Sequence, residues 1–306
     1  PDKHSQVVVL GGGPGGYPAA FAAADHGLQV ILIDEGRSPG GVCLNRGCIP
    51  SKALLHAARV LHEAKEAEAF GISFAKPTID LDKLRTWKEN VIQQMTNGLG
   101  QMRTLRKVKD VRGRARFVSA TSVEVEKLDG TTESISFDTA ILASGSRTTM
   151  IPLFDIGSER ILDSTTALNL SEVPKRMLVV GGGYIGLEMT TVYAALGSKV
   201  SVVEMLPGLL PGADRDLVAP LAKNINSITD KVYLNTRVTS VKEQKNGIKV
   251  IFENPKGEPF SEQYDQILVS IGRRPNSEDL GLENTGVVVN ERGFVEIDGQ
   301  RRTAEP

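Results

Sequence analysis

Two stretches of this chain carry the same landmarks in the same order, and that repeat restricts the fold more than any other feature. In the first, the apolar run Val7 to Leu10 reads as a buried strand and leads into Gly11-Gly-Gly13-Pro14-Gly15-Gly16. Tyr17-Pro18 and an Ala-rich helix, Ala19 to Ala24, follow; Gly27 ends the helix, and the strand Val30 to Ile33 closes on Asp34. In the second, Leu178 to Val180 leads into Gly181-Gly182-Gly183-Tyr184-Ile185-Gly186, then a helix from Leu187 to Leu196. Gly197 ends that helix, and Val200 to Val203 closes on Glu204. The displacement is the same throughout, from Gly11 to Gly181, from Gly27 to Gly197 and from Asp34 to Glu204.

Strand, glycine turn, helix, strand and acid make a Rossmann βαβ unit. The first glycine permits the tight turn, the second lets backbone approach a pyrophosphate, and the third lets helix pack on strand. The helix N-terminus offers unpaired N–H groups and a positive dipole end to phosphates. The acid accepts hydrogen bonds from a ribose hydroxyl. Glycines used only for turns would not place all these parts in register twice. The repeat therefore predicts an α/β chain with two Rossmann-like dinucleotide-binding domains, the second inserted in the first. Glu204 would repel a 2′-phosphate, and no arginine pair follows it in Met205-Leu206-Pro207. The second site thus reads as one for NAD rather than NADP.

The two cysteines, Cys43 and Cys48, both lie in Gly41-Val42-Cys43-Leu-Asn-Arg-Gly-Cys48-Ile-Pro50-Ser-Lys52, shortly after Asp34 and before a helical pattern. Buried thiols, half a metal site, a structural disulfide and a redox-active disulfide are the alternatives. A structural zinc site needs about four ligands; no third cysteine exists, and only His56 and His62 follow nearby. No metal site is expected. A structural disulfide suits a secreted chain, and no secretory segment is visible. Spacing leaves an inert and a catalytic pair open, and the adjoining nucleotide loop favours the catalytic one.

At 306 residues the chain has room for about two domains. The expected division is 1–147, 148–275 and a return to the first domain over 276–306. The net charge of −1 gives no electrostatic reason to expect nucleic acid or an anionic membrane as partner. The apolar runs are of strand length, far below the roughly 20 residues of a membrane span. Helices are expected over Ile49 to Ala69 and Leu81 to Arg106, the latter broken near Gly98 to Gly100. Strands are expected over Lys109 to Phe117, Thr121 to Lys127 and Ser134 to Leu142, with a turn at Asp129-Gly130. Further strands lie near Val232, Val238, Ile248 to Phe252 and Ile267 to Ser270. The chain opens at Pro1 rather than methionine, which suggests an upstream segment removed.

Together these motifs resemble the pyridine nucleotide-disulfide oxidoreductases. The residues that carry the resemblance are Gly41 to Lys52, Gly181 to Glu188, Val-Val-Glu204-Met and Ser270-Ile-Gly272-Arg273-Arg-Pro-Asn276. Leu44 and Ile49 resemble the branch of the family that oxidises dihydrolipoyl groups. The resemblance implies FAD in the first domain, held by Gly11, Gly13, Pro14, Gly15, Gly16, Asp34, Glu35, Gly41, Val42, Lys52, backbone at Ala115, and Ser144, Gly145 and Ser146. It implies NAD in the second, held by Gly181 to Gly186, Glu188, Glu204, Val238, Ser270, Gly272 and Arg273. Glu188 and Val238 read equally well as a solvated helix charge and a plain sheet residue. Cys43 is implied as the sulfur exchanging with substrate, and Cys48 as the one against the flavin.

The implied partner is the dihydrolipoyl group of a 2-oxoacid dehydrogenase or glycine cleavage complex, with a homodimer in the cytoplasm or mitochondrial matrix. A sibling reductase of another disulfide or of a metal ion, and a dinucleotide-binding fragment without turnover, are the competing readings. Family members continue past the point matching Pro306 into the rest of the FAD site and an interface domain with a His-Glu pair. The chain is therefore expected to be a poorly active fragment. Pro18 in the first helical turn and Ser144 in place of threonine are smaller departures.

Overall fold

The computed structural model describes residues 2–36 and 38–306, so Pro1 lies outside the described residues. The chain runs through β1 (Lys3–Leu10), α1 (Gly16–Asp25), β2 (Val30–Asp34), α2 (Gly41–Arg46), α3 (Cys48–Glu66) and α4 (Leu81–Leu105). Next come β3 (Lys109–Ser119), β4 (Ser122–Lys127), β5 (Thr132–Leu142), β6 (Ser146–Thr148), β7 (Ile161–Leu162) and α5 (Ser164–Ala167). The repeat follows as β8 (Arg176–Val180), α6 (Tyr184–Leu196) and β9 (Lys199–Val203), then α7 (Arg215–Ile228). The last strands are β10 (Lys231–Tyr233), β11 (Arg237–Gln244), β12 (Gly247–Glu253), β13 (Pro259–Tyr264), β14 (Gln266–Val269) and β15 (Arg273–Pro275).

The chain divides into two compact units, Pro1–Asn45 with Ile92–Arg147 and Arg274–Pro306, and Arg46–Val91 with Thr148–Arg273. Residues 46–91 thus group with the second unit rather than the first.

In the first unit β1 lies between β2 and β5, parallel to both. β3 pairs in parallel with β2, and β4 joins β3 to β5 antiparallel, so the five strands close on themselves. Alternate residues of β1 and β2 face opposite ways, as the period of two requires. Val8, Leu10, Ile31 and Ile33 pack with Val123, Val125, Ile135 and Phe137. Val7, Val9, Val30 and Leu32 pack with Ala20 and Phe21 of α1. Burial on both faces is why these strands read as unbroken apolar runs. Leu280, Leu282, Val287 and Val295 cover part of the first cluster.

α4 is continuous from Leu81 to Leu105, which corrects the expected break at Gly98 to Gly100. Each glycine costs a helix about 1 kcal/mol relative to alanine. Leu99 between them packs against the first unit's core, and Arg103 and Arg106 pair with Asp110 and Asp25. Those contacts outweigh the two glycines.

In the second unit the parallel sheet has the order β10-β9-β8-β14-β7, with β11, β12 and β13 as an antiparallel three-stranded sheet. Met177, Val179, Val200 and Val202 face the helical side, where Leu187, Met189, Val192 and Tyr193 of α6 meet Leu54 of α3. Leu178, Val180 and Val203 face Phe252 and Tyr264 of the three-stranded sheet. α7 and β13 have no counterpart among the sequence expectations. Among the described residues no helix is long and apolar enough to cross a membrane.

Candidate functional site: two glycine loops and a cysteine-bearing helix start

The first glycine loop leaves the C-terminal end of β1, where parallel α/β sheets place their ligands. Its glycines are required for different reasons. Gly11 has φ +105°, and a Cβ there would sit 2.1 Å from the Ala143 carbonyl oxygen. A Cβ on Gly16 would sit 1.7 Å from the Gly11 carbonyl oxygen. A Cβ on Gly13 would meet nothing closer than Gly41 Cα at 3.8 Å. The outer two glycines therefore answer to protein backbone, and the middle one leaves space on the side where a ligand would approach. Asp34 ties the loop to the end of β2: its Oδ2 accepts from Gly12 N–H at 2.6 Å and its Oδ1 from Gly36 N–H at 2.7 Å. Ser144 and Gly145 lie beside Asn276, whose Nδ2 donates to Ser144 O at 3.0 Å and whose N–H donates to Gly145 O at 3.0 Å.

The second loop repeats this pattern. Gly181 has φ +104°, with the position of a Cβ 2.5 Å from Ser270 O; Gly186 is blocked by Gly181 O at 2.3 Å; Gly183 meets nothing within 4 Å. Glu204 Oε2 accepts from Gly182 N–H at 2.7 Å, and Oε1 from Leu206 N–H at 2.8 Å. Ser270 Oγ donates to Val180 O at 3.0 Å. Tyr184 at the helix start is exposed. A nucleotide pyrophosphate fits both loops, since in each the glycine that must let phosphate approach is uncrowded.

The cysteine segment is set by two glycines. Gly41, φ +56°, opens α2, and a Cβ on it would lie 2.6 Å from Gly13 Cα. Gly40 N–H donates to Gly12 O at 2.7 Å. Backbone contact with the nucleotide loop thus fixes where α2 starts, two residues before the half-buried Cys43. Cys48 is exposed and is the first residue of α3. It stands at the positive end of a long helix. Ser51 Oγ donates to Cys48 O at 3.1 Å.

One turn on, Lys52 Nζ donates to Glu188 Oε1 of α6 at 2.9 Å. Sequence reasoning took the two singly, one beside flavin and the other beside nicotinamide; the structure joins them across 136 residues. No spacing rule could have found that pair.

Ala115 is buried in β3, opposite Val125. Val238 is a strand residue of β11 opposite Phe252, packed on the second unit's core. Gly272 O accepts from Thr149 N–H at 3.0 Å. One group of displaced pKa values surrounds Glu262, where Tyr233 Oη, Tyr264 Oη and Arg176 Nη2 donate at 2.8, 3.1 and 2.9 Å and Lys231 Nζ also donates. Burial raises the Glu262 carboxyl, but the hydrogen bonds from Lys231, Tyr233 and Tyr264 outweigh it and hold it below its ordinary value. Burial pushes both tyrosines up. This network anchors strand ends and touches neither loop.

With the geometry in place, comparison with known proteins gives the class: residues 5–306 match the pyridine nucleotide-disulphide oxidoreductases, and the chain belongs to that family. Proteins of this family use FAD and NAD. Among its relatives, the dihydrolipoyl dehydrogenase of Vibrio cholerae is 49% identical over 99% of this chain and 63% of that protein. Those of Haemophilus influenzae and Geobacillus stearothermophilus are 47% and 42% identical. The chain spans 63% of the length of each of these relatives. A solved structure of the HOCl-induced flavoprotein disulfide reductase RclA from Escherichia coli superposes with a TM-score of 0.83 at 28% identity, covering 98% of this chain and 64% of that one. Its Cu(II) complex superposes with a TM-score of 0.84 at 28% identity, covering 99% and 64%.

Proposed function

We propose that this chain carries the dinucleotide and cysteine machinery of a dihydrolipoyl dehydrogenase. The observation that carries the reading is Cys48 opening α3, with the Lys52–Glu188 pair one turn on. The first loop, Asp34, Glu35, Gly41, Val42, Lys52, backbone at Ala115 and Ser144 to Ser146 would hold FAD. The second loop, Glu188, Glu204, Val238, Ser270, Gly272 and Arg273 would hold NAD. The domains are read as 1–147 for FAD and 148–275 for NAD, with 276–306 returning to the first.

The chemistry begins at a Cys43–Cys48 disulfide. A substrate thiolate attacks Cys43 Sγ, the S–S bond breaks, and Cys48 leaves as a thiolate. The second substrate thiol attacks the substrate sulfur of the mixed disulfide, and its proton passes to the departing Cys43 sulfur. This releases Cys43 and closes the substrate's own disulfide, so the cysteine pair has gained the two electrons that the substrate lost. The helix N-terminus stabilises charge on Cys48 Sγ. Bound FAD would accept that electron pair and NAD would carry it away as hydride. Lys52, one turn after Cys48, is oriented by its ion pair with Glu188.

The substrate is read as the dihydrolipoyl group of a 2-oxoacid dehydrogenase or glycine cleavage complex, met in the cytoplasm by a homodimer of the whole protein. The structural neighbours are named as a flavoprotein disulfide reductase, which supports a sibling disulfide reductase as the second reading, at lower identity than the dihydrolipoyl dehydrogenases. Glu204 weighs against an NADPH-driven sibling. The test is steady-state oxidation of dihydrolipoamide by the full-length protein with NAD. Cys48→Ser is expected to lose at least about a thousandfold in rate while the flavin spectrum persists, since it removes the leaving thiolate. Near-normal turnover in that variant contradicts the assignment.

A further inference from the structure

The segment between β9 and α7, residues 205–214, lies folded against the second glycine loop. Leu210 N–H donates to Gly182 O at 2.9 Å. Leu209 is 3% exposed, and its Cδ2 lies 2.6 Å from the place a Cβ on Gly182 would take. Leu210 itself has φ +49°, a left-handed conformation that crowds the Cβ of any residue but glycine. A strained residue persists only where its surroundings hold it.

Arg215, the first residue of α7, does the holding. Its Nη1 donates to Leu209 O at 3.0 Å, and its Nη2 donates to Leu210 O at 2.5 Å. Nε and Nη2 both donate to Ala213 O, at 3.0 and 2.8 Å. Gly208 leaves room for the guanidinium, since a Cβ there would lie 3.0 Å from Nη1. A cation in the first turn of a helix opposes the helix dipole. Arg215 therefore gains nothing from its own helix, and its side chain is committed to the carbonyls of the strap.

We propose that Arg215 is a positioning residue for nicotinamide dinucleotide binding. It fixes the 205–214 strap, and the strap fixes Gly182 and the carboxylate of Glu204, whose Oε2 and Oε1 accept from Gly182 and Leu206. The proposal rests on reading the second loop as the dinucleotide site. Without Arg215, Leu210 relaxes out of its strained conformation, Leu209 leaves Gly182, and the loop must be ordered again each time the dinucleotide binds. That cost falls on affinity rather than on the chemical step.

The experiment titrates the FAD-bound, full-length protein with NAD by calorimetry, for wild type, Arg215→Gln, Arg215→Lys and Glu204→Ala. Arg215→Gln is expected to weaken NAD binding about fivefold, from lost hydrogen bonds that are each modest at an exposed site. KM for NAD should rise with kcat unchanged, and amides 206–213 should exchange faster in the free protein but not in the NAD complex. Arg215→Lys should recover part of the affinity, because an ammonium can reach some of the carbonyls but not all. A lower melting temperature with unchanged NAD affinity in Arg215→Gln would make the residue merely structural and overturn the proposal. Arg215→Lys supplies the same readout if the glutamine variant does not fold. Unchanged affinity in Glu204→Ala would instead remove the dinucleotide site itself, a failure separable from that of Arg215.

Discussion

The two glycine loops share a backbone skeleton down to single hydrogen bonds, yet the chain does different things after each. Gly11 N–H donates to Ile33 O at 2.8 Å, and Gly181 N–H to Val203 O at 2.9 Å. Gly40 anchors on Gly12 O, and Leu210 anchors on Gly182 O, at the same displacement as the rest of the repeat. After Gly40 the first copy continues into α2 and Cys43. After Leu210 the second copy continues into the segment gripped by Arg215. Helix starts differ too. α6 begins at Tyr184, whereas α1 begins two repeat positions later, at Gly16. Pro14 and Gly15, both poor helix formers, stand where the second copy has Tyr184 and Ile185. The lesson is that the βαβ skeleton fixes a nucleotide loop, and the segment hung from the same anchor decides whether that loop gains cysteines or a strap.

The sharpest way to break the comparison is within one loop. Gly181→Ala places a Cβ against Ser270 O at φ +104°, whereas Gly183→Ala meets nothing within 4 Å. Urea denaturation should show Gly181→Ala destabilised by roughly 3 kcal/mol, the sum of backbone strain and a clash. Gly183→Ala should lose less than about 1 kcal/mol and weaken NAD binding instead. Equal losses in the two variants would mean that the glycines do not divide the work between backbone and ligand.

Cofactor choice sharpens the contrast between the acids. Both oxygens of each acid accept backbone hydrogen bonds, but Asp34 is half-buried, whereas Glu204 is buried. Glu204→Arg is expected to lower kcat/KM for NAD at least about tenfold and to shift preference toward NADP, because the like charge facing a 2′-phosphate is replaced by an opposite one. Paired kinetics with both cofactors measure it, and a wild-type preference for NADP runs against the reading.

The smallest effect concerns Glu262, in the unit that holds the second loop. Glu262→Gln should cost about 1 kcal/mol in unfolding free energy and leave NAD affinity unchanged. The carboxyl lies below its ordinary value of 4.5 when folded. Its stabilisation is therefore full above the unfolded pKa and is lost as pH falls through the lower folded one. The gap between wild type and variant should be constant at neutral pH and shrink in acid. A gap that widened in acid would reverse the sign assigned here.

Both βαβ units are legible in the sequence, because their parts are local. Apolar strand residues, glycines that only a tight turn requires, a helix and a closing acid all fall within a few dozen positions. The cysteine pair was legible for the same reason. Helix α4 was misread because the glycine penalty is local and visible, while Leu99 in the core and the pairs to Asp25 and Asp110 are not. The strap had a signal that went unused: Leu206-Pro207-Gly208 recurs as Leu210-Pro211-Gly212, a mark of a folded loop rather than a free one.

The sequence by itself determined that the chain carries two glycine loops of the dinucleotide-binding type in two α/β units, and that its cysteines adjoin the first. Backbone geometry dictates those features, and backbone geometry is written in neighbouring residues. Only the tertiary structure decided that Lys52 pairs with Glu188, that the Gly40-Gly41 step seats the cysteine helix on the first loop, and that Arg215 holds the segment over the second. Each of these depends on which surfaces meet when separate elements pack, and no periodicity or spacing along the chain specifies a partner across that distance.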